Sequence, residues 1–174
     1  MSFYRRLRPS GATYFFTVNL ARRGDDTLTR HIDLLRHAYR VTMEEHPVHC
    51  DAMVILPDHL HAVWTLPPGD ADYSLRWRKL KGRFTHWTGL ACPASPSKAR
   101  KREAGLWQRR FWEHVIRDDA DHAAHVGYCL WNPVKHGLVA AAEDWPFSSI
   151  HRDRRAGVVF DARKAAELAE AGEA

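Results

Sequence analysis

Two rhythms of apolar and polar positions run along the chain, and the switches between them mark its elements. Tyr14-Phe15-Phe16-Thr17-Val18-Asn19 is an aromatic and β-branched run that predicts a first strand. From Leu28 to His46, Leu28, Ile32, Leu35, Tyr39 and Met43 recur at three or four, the period of one helix face, and Pro47 stops the run. Cys50 to Leu56 reads as a buried strand, Pro57-Asp58 as a turn, and His59 to Leu66 as the hairpin partner, ended by Pro67-Pro68-Gly69. Trp77, Leu80, Phe84 and Trp87 predict a second helix from Leu75 to Trp87. Ala91 to Gly105 is a basic, Pro- and Ser-bearing loop, expected to be mobile. Phe111 to Arg117 predicts another strand. A third helix begins near Asp118-Asp119, where acidic side chains suit the positive end of the helix dipole, and stops at Asn132-Pro133.

The order β-α-β-β-α-β-α, without repeats or a clear linker, predicts an α+β fold: a ferredoxin-like (split β-α-β) antiparallel sheet with helices packed on one face. Residues 1–152 form the expected domain, and 153–174 an Ala-rich, charged tail.

A chain of 174 residues suits one compact domain. No apolar run reaches the roughly 18 residues a membrane helix needs, and none of signal-peptide length follows the N-terminal basic residues. The expected location is cytoplasmic. Cys50, Cys92 and Cys129 form no close pair, which excludes a disulfide framework and a four-cysteine zinc site. A formal charge of +5 suits a polyanionic partner. Several of the seven tryptophans sit beside cations, as in Trp107-Gln108-Arg109-Arg110-Phe111-Trp112, the pairing that stacking on unpaired bases requires, although core packing accounts equally well for each ring. On the second helix, Arg76, Lys79 and Arg83 form a stripe, with Arg78 and Lys81 beside it, that could follow a phosphate backbone or simply be solvated.

Two constellations carry chemistry. In Pro57-Asp58-His59-Leu60-His61, residues two apart on a strand face the same way, so His59 and His61 project together and Leu60 opposes them. Paired neutral imidazoles are a natural seat for a divalent cation. On the third helix, Asp121, His125, Tyr128 and Asn132 fall within a stripe about 60° wide, while Ala123, Val126, Gly127 and Leu130 occupy the other side. That stripe presents a phenol and, one turn later, an amide oxygen. Two imidazoles and an amide would leave open positions for phosphate oxygens on a hard cation, which spreads the charge developing at phosphorus. A phenol near such a cation can attack a phosphodiester, conserving the ester bond energy so that rejoining needs no ATP. The chain has no phosphate loop of the ATPase kind, in keeping with that. Each pattern alone also fits an ordinary packed histidine pair or an interface tyrosine.

His59-Leu60-His61 resembles the His-hydrophobic-His motif of the HUH endonucleases. The run from Tyr128 through Asn132-Pro133-Val134-Lys135-His136-Gly137 is similar to the catalytic-tyrosine helix of single-tyrosine transposases, and most similar to the REP-associated tyrosine transposase group. Phe111 to Asp118 and Asp144 to Ser149 extend the likeness, which spans about Tyr14 to His151. The resemblance implies the HUH form of the ferredoxin-like fold and a metal-dependent endonuclease and transesterase. Such an enzyme nicks and rejoins single-stranded DNA at small palindromic hairpins through a 5′-phosphotyrosine. It further implies Tyr128 as nucleophile, His59, His61 and Asn132 as metal ligands, and one Mg2+ or Mn2+ per site. Many insertion-sequence relatives carry glutamine where Asn132 stands, and the shorter side chain needs a closer helix or an intervening water. His114, Lys135 and His136 are weaker candidates for DNA contacts. The expected partner is hairpin-bearing single-stranded DNA, REP-like, bound by a monomer or homodimer. Two other classes compete: a non-catalytic ferredoxin-like module binding single-stranded nucleic acid, and a hydrolase in which a metal-bound water attacks.

Overall fold

The computed structural model describes residues 8–90 and 105–159, with positions 161, 164 and 167 beyond them. The basic loop, apart from Gly105, and most of the tail lie outside the described residues. Four antiparallel strands form one sheet in the order β2-β3-β1-β4: β1 Thr13–Asn19, β2 His49–Ile55, β3 His59–Thr65 and β4 Trp112–Val115. β1 and β3 are central and buried on both faces, which explains why their sequences are apolar nearly throughout. The split β-α-β order expected from the sequence is the observed one.

The sheet's two faces have different covers. Tyr14, Phe16 and Val18 of β1, with Leu60, Ala62 and Trp64 of β3, pack against α2 (Ile32–Glu45) and α3 (Tyr73–Thr88). Here Trp64 and Trp77 stack at 4.1 Å with 12° between planes, both fully buried. Phe15, Val54 and Val63 point the other way and are covered by Val126, Cys129 and Leu130 of α4 (Asp119–Lys135). The expectation of helices on one face therefore holds for the crossover helices α2 and α3, whereas the third long helix lies across the opposite face. Alternation along the strands requires this, because Phe15, Ala52, Val54 and Val63 would otherwise face water.

Local signals set the boundaries. Asp72 caps α3 by accepting from the Leu75 N–H at 2.9 Å, and Gly89 ends it at φ 65°. The continuous helix expected from Leu28 breaks at His31 into α1 (Thr27–Arg30) and α2, with α1 pinned to the hairpin turn by the Leu28 N–H on the Pro57 carbonyl (3.0 Å). Asp118 caps α4 through the Asp121 N–H at 2.8 Å. The expected stop at Asn132-Pro133 does not occur: α4 runs through Pro133 to Lys135, and the His136 N–H reaches the Asn132 carbonyl at 3.0 Å. Proline removes one hydrogen bond near the helix end, and the turn around it still closes. After a 3-10 turn (Ala142–Asp144), residues 147–149 lie along the free edge of β2, giving Phe147 carbonyl to Ile55 N–H and Ser149 N–H to Met53 carbonyl bonds, before α5 (Ile150–Arg155). That cover removes an exposed strand edge. Among the described residues no helix is long and apolar enough to cross a membrane.

Candidate active site

On the α4 face of the sheet, the two sequence patterns meet. His59 and His61 are 5% and 3% exposed, with ring centroids 5.1 Å apart. The Tyr128 ring stands 5.4 Å from His61, and Phe15 lies edge-on beneath it at 5.7 Å. Asn132 is fully buried, and its Oδ1 has no hydrogen-bond partner among the described residues, while Nδ2 reaches the Tyr128 carbonyl at 3.5 Å. A buried amide oxygen without a donor is unfavourable by roughly 1–3 kcal/mol unless something electropositive occupies the space before it.

Both imidazoles are oriented from behind. Asp58 Oδ1 lies 2.5 Å from His59 Nδ1, and Thr17 Oγ1 lies 2.9 Å from His61 Nδ1. With Nδ1–H donated to these oxygens, Nε2 is the nitrogen that keeps a lone pair to offer a cation, the usual arrangement behind a metal-binding histidine. Burial, reinforced by neighbouring His59, pushes the His61 pKa down to about 3, with the Asn132 side chain opposing, so the ring is neutral at ordinary pH. Burial favours a protonated Asp58, but bonds from His59 and the Gly24 N–H (2.7 Å) outweigh it and hold the carboxyl below its usual range. Two imidazoles, an orphaned amide oxygen and an anionic support thus fit a divalent cation. Sequence reasoning missed Asp58 and Thr17. Asp58 was legible as an acid next to a histidine, whereas Thr17 enters through the β1–β3 register, which sets it opposite His61. Removing the support in Asp58→Ala should weaken Mn2+ binding about 10- to 100-fold, read by calorimetric titration.

The continuation of α4 past Pro133 brings in two more groups. Lys135 holds its ammonium 4.7 Å from the Tyr128 ring centroid, and the His136 ring is 5.1 Å from His59. Lys135 comes seven residues after Tyr128 and His136 four after Asn132, so both return to the same helix stripe.

His114 sits beside this group, not in it. It lies across from Phe15 and hydrogen bonds through Nε2 to the Asp121 carboxylate (2.9 Å), which also takes the Arg117 N–H (2.9 Å) and approaches His125 Nδ1 (2.9 Å). His114, Asp121 and His125 bring one ligand atom each within 4.8 Å of one another. The two rings are stacked, 4.4 Å apart with 13° between planes, and each turns a nitrogen toward the Asp121 carboxylate. The cluster is a brace tying β4 to the start of α4. Burial favours a neutral Asp121, but the bonds from His114 and Arg117 take its pKa down to about 2. A depressed carboxyl stabilises the fold above the unfolded pKa near 4 and loses that contribution as pH falls through 2. Asp121→Asn should therefore be less stable at pH 7 by about 2 kcal/mol in urea denaturation, with the difference vanishing toward pH 2.

The basic stripe expected on α3 to follow DNA is engaged within the protein. Arg76 is 2% exposed and donates to the His46 and Pro47 carbonyls at the end of α2, the Asp72 carbonyl and the Asp70 carboxylate. Lys79 and Arg83 both clamp Glu45 of α2. All three belong to the helix layer on the sheet face away from Tyr128. Their spacing followed the seam between α2 and α3, where cations offset helix-end carbonyls and Glu45.

Fold and site together define a class: a ferredoxin-like sheet with a histidine pair on a central strand, facing a tyrosine on a helix laid across it. Comparison with known proteins narrows that class. No family model matches the chain. It is 46% identical over 158 residues to the REP-associated tyrosine transposase of Escherichia coli (strain K12), covering 91% of this chain and 88% of that protein. A second relative, from Haemophilus influenzae (strain ATCC 51907 / DSM 11121 / KW20 / Rd), is 46% identical over 159 residues, covering 91% and 90%. A solved structure of a REP-associated tyrosine transposase bound to a REP hairpin superposes with a TM-score of 0.81 at 46% identity, covering 91% of this chain and 88% of the other. The chain belongs to the REP-associated tyrosine transposase family.

Proposed function

We propose that this protein is a metal-dependent endonuclease and transesterase that nicks and rejoins single-stranded DNA at small REP-like hairpins. Family membership supports the transposase class, and the solved relative's hairpin supports the substrate. The observation that carries the chemistry is the His59–His61 pair beside the Tyr128 ring, with the buried Asn132 amide next to His61. In this reading His59, His61 and Asn132 hold one Mg2+ or Mn2+, which when bound supplies Lewis-acid polarisation of the scissile phosphate.

The protein's own groups do the rest. Tyr128 loses its phenol proton as its oxygen bonds to phosphorus, while the bond from phosphorus to the departing 3′ oxygen breaks and that oxygen gains a proton. The products are a 5′-phosphotyrosine and a free 3′ hydroxyl. Attack by a 3′ hydroxyl on the phosphotyrosine reverses the exchange, joins strands and frees Tyr128. Lys135, seated on the Tyr128 ring, favours the negative charge that builds on the phenol oxygen. Lys135 and His136, both exposed, are placed to take backbone phosphate oxygens. Phe15 and the close packing of α4 hold the phenol against the histidines and limit water there. Residues 1–152 make up the catalytic domain in this reading and 153–174 an appended tail, acting as a monomer or homodimer.

The test is a denaturing gel of the protein with labelled single-stranded hairpin DNA taken from beside its own gene. With Mn2+ or Mg2+ the label should migrate with the protein, and EDTA should abolish that band. Hairpin binding that ignores EDTA and yields no adduct would identify a binding module instead; cleavage without an adduct would identify a water-using hydrolase.

A further inference from the structure

Six of the seven tryptophans are buried or half-buried, and Trp112 alone is exposed, at 51%. Its position is informative. Strand pairing sets Trp112 opposite Thr17 on β1, and Thr17 opposite His61 on β3, so the three share one row across the site face of the sheet. Two strand spacings put the Trp112 backbone about 10 Å from that of His61. β4 is an edge strand, and among the described residues no strand pairs with its flank away from β1.

The ring is also held from behind. It runs parallel to His114 (6.0 Å, 10°), which stacks on His125, and the edge of Phe15 supports it at 5.7 Å. Phe15 touches Tyr128 as well, so the exposed ring and the phenol rest on one side chain. Asp121 locks both histidines and also takes the Nε of Arg117, two residues past the strand, at 3.1 Å, while most of the Arg117 side chain stays exposed. A rigid aromatic plane on an open edge beside a phosphate-handling site is what an unpaired base needs, since every base has a face to stack and stacking tolerates any sequence.

We infer that Trp112 is a base-stacking platform, braced by His114 and His125, which grips an unpaired nucleotide next to the scissile phosphate and positions the strand for Tyr128. The inference rests on the proposed function, because it assumes that single-stranded DNA enters this face. Trp112 is a positioning residue: it orients substrate and takes no part in bond making.

The experiment uses hairpin oligonucleotides from beside the protein's own gene, with 2-aminopurine at each unpaired position flanking the stem in turn. They are bound to Tyr128→Phe protein, so that no cutting occurs. At one position fluorescence should fall several-fold on binding, and Trp112→Ala in the same background should abolish that fall. The alanine variant should bind the flanked hairpin about 5- to 100-fold more weakly, but a hairpin trimmed to its stem and loop equally well. Trp112→Phe, which keeps an aromatic face, should recover most of the affinity and retain the position-specific quenching. Circular dichroism of each variant checks the fold. If the wild-type protein forms its adduct while quenching and affinity ignore Trp112→Ala, the platform is overturned and the transesterase stands. If neither adduct nor binding appears with wild type, both fall together.

Discussion

Tyr128→Phe is expected to erase the covalent protein–DNA species entirely while leaving hairpin affinity within about twofold of wild type. The phenylalanine keeps the ring contacts to His61 and Phe15 and the seat for the Lys135 ammonium, so the pocket should retain its shape. Only the oxygen proposed to bond phosphorus is lost. A residue acting as covalent nucleophile has no partial substitute, and losses of four to six orders of magnitude are typical when one is removed. The measurement is the gel assay with Mn2+, paired with fluorescence anisotropy for binding. An adduct that survives the substitution would move the nucleophile elsewhere. A loss of binding as large as the loss of adduct would make Tyr128 a contact residue only.

The second large effect concerns stability on the other side of the sheet. Trp77→Ala should destabilise the fold by about 3–5 kcal/mol, measured as a lowered urea midpoint with little change in slope. Trp77 is fully buried against Trp64, and its ring also meets Phe16 and Phe111. No small shift of α3 fills that volume, because Arg76 on one side of the helix is tied to the His46 and Pro47 carbonyls just past α2 and to Asp70. A loss of this size is a large share of the 5–15 kcal/mol that holds an ordinary domain together. Metal affinity in the surviving folded fraction should be unchanged, since the imidazoles lie on the opposite face.

Much of the site was written in local spacing. A two-residue period on β3 sufficed to pair His59 with His61, and a period of 3.6 sufficed to align Asp121, His125, Tyr128 and Asn132, because both periods are properties of the backbone. Local reading failed where the outcome depended on what an element packs against. Arg76, Lys79 and Arg83 form an unambiguous stripe, yet a stripe does not say whether solvent, DNA or another helix faces it. Here α2 does, with Glu45 at its end. Pro133 reads as a stop, but the C-terminal turn closes beyond it and carries Lys135 and His136 to the site.

The sequence by itself determined the element order, the split β-α-β plan and which residues share a face, since these follow from backbone geometry and the burial of apolar side chains. Only the tertiary structure decided which faces meet. It laid α4 across the sheet face opposite α2 and α3, set Thr17 and Asp58 behind the two imidazoles, and left Trp112 open at the edge. The physical reason is that register and packing partners are contacts between residues distant in the chain. Their energies depend on every other element being in place, and no window of neighbouring residues contains them.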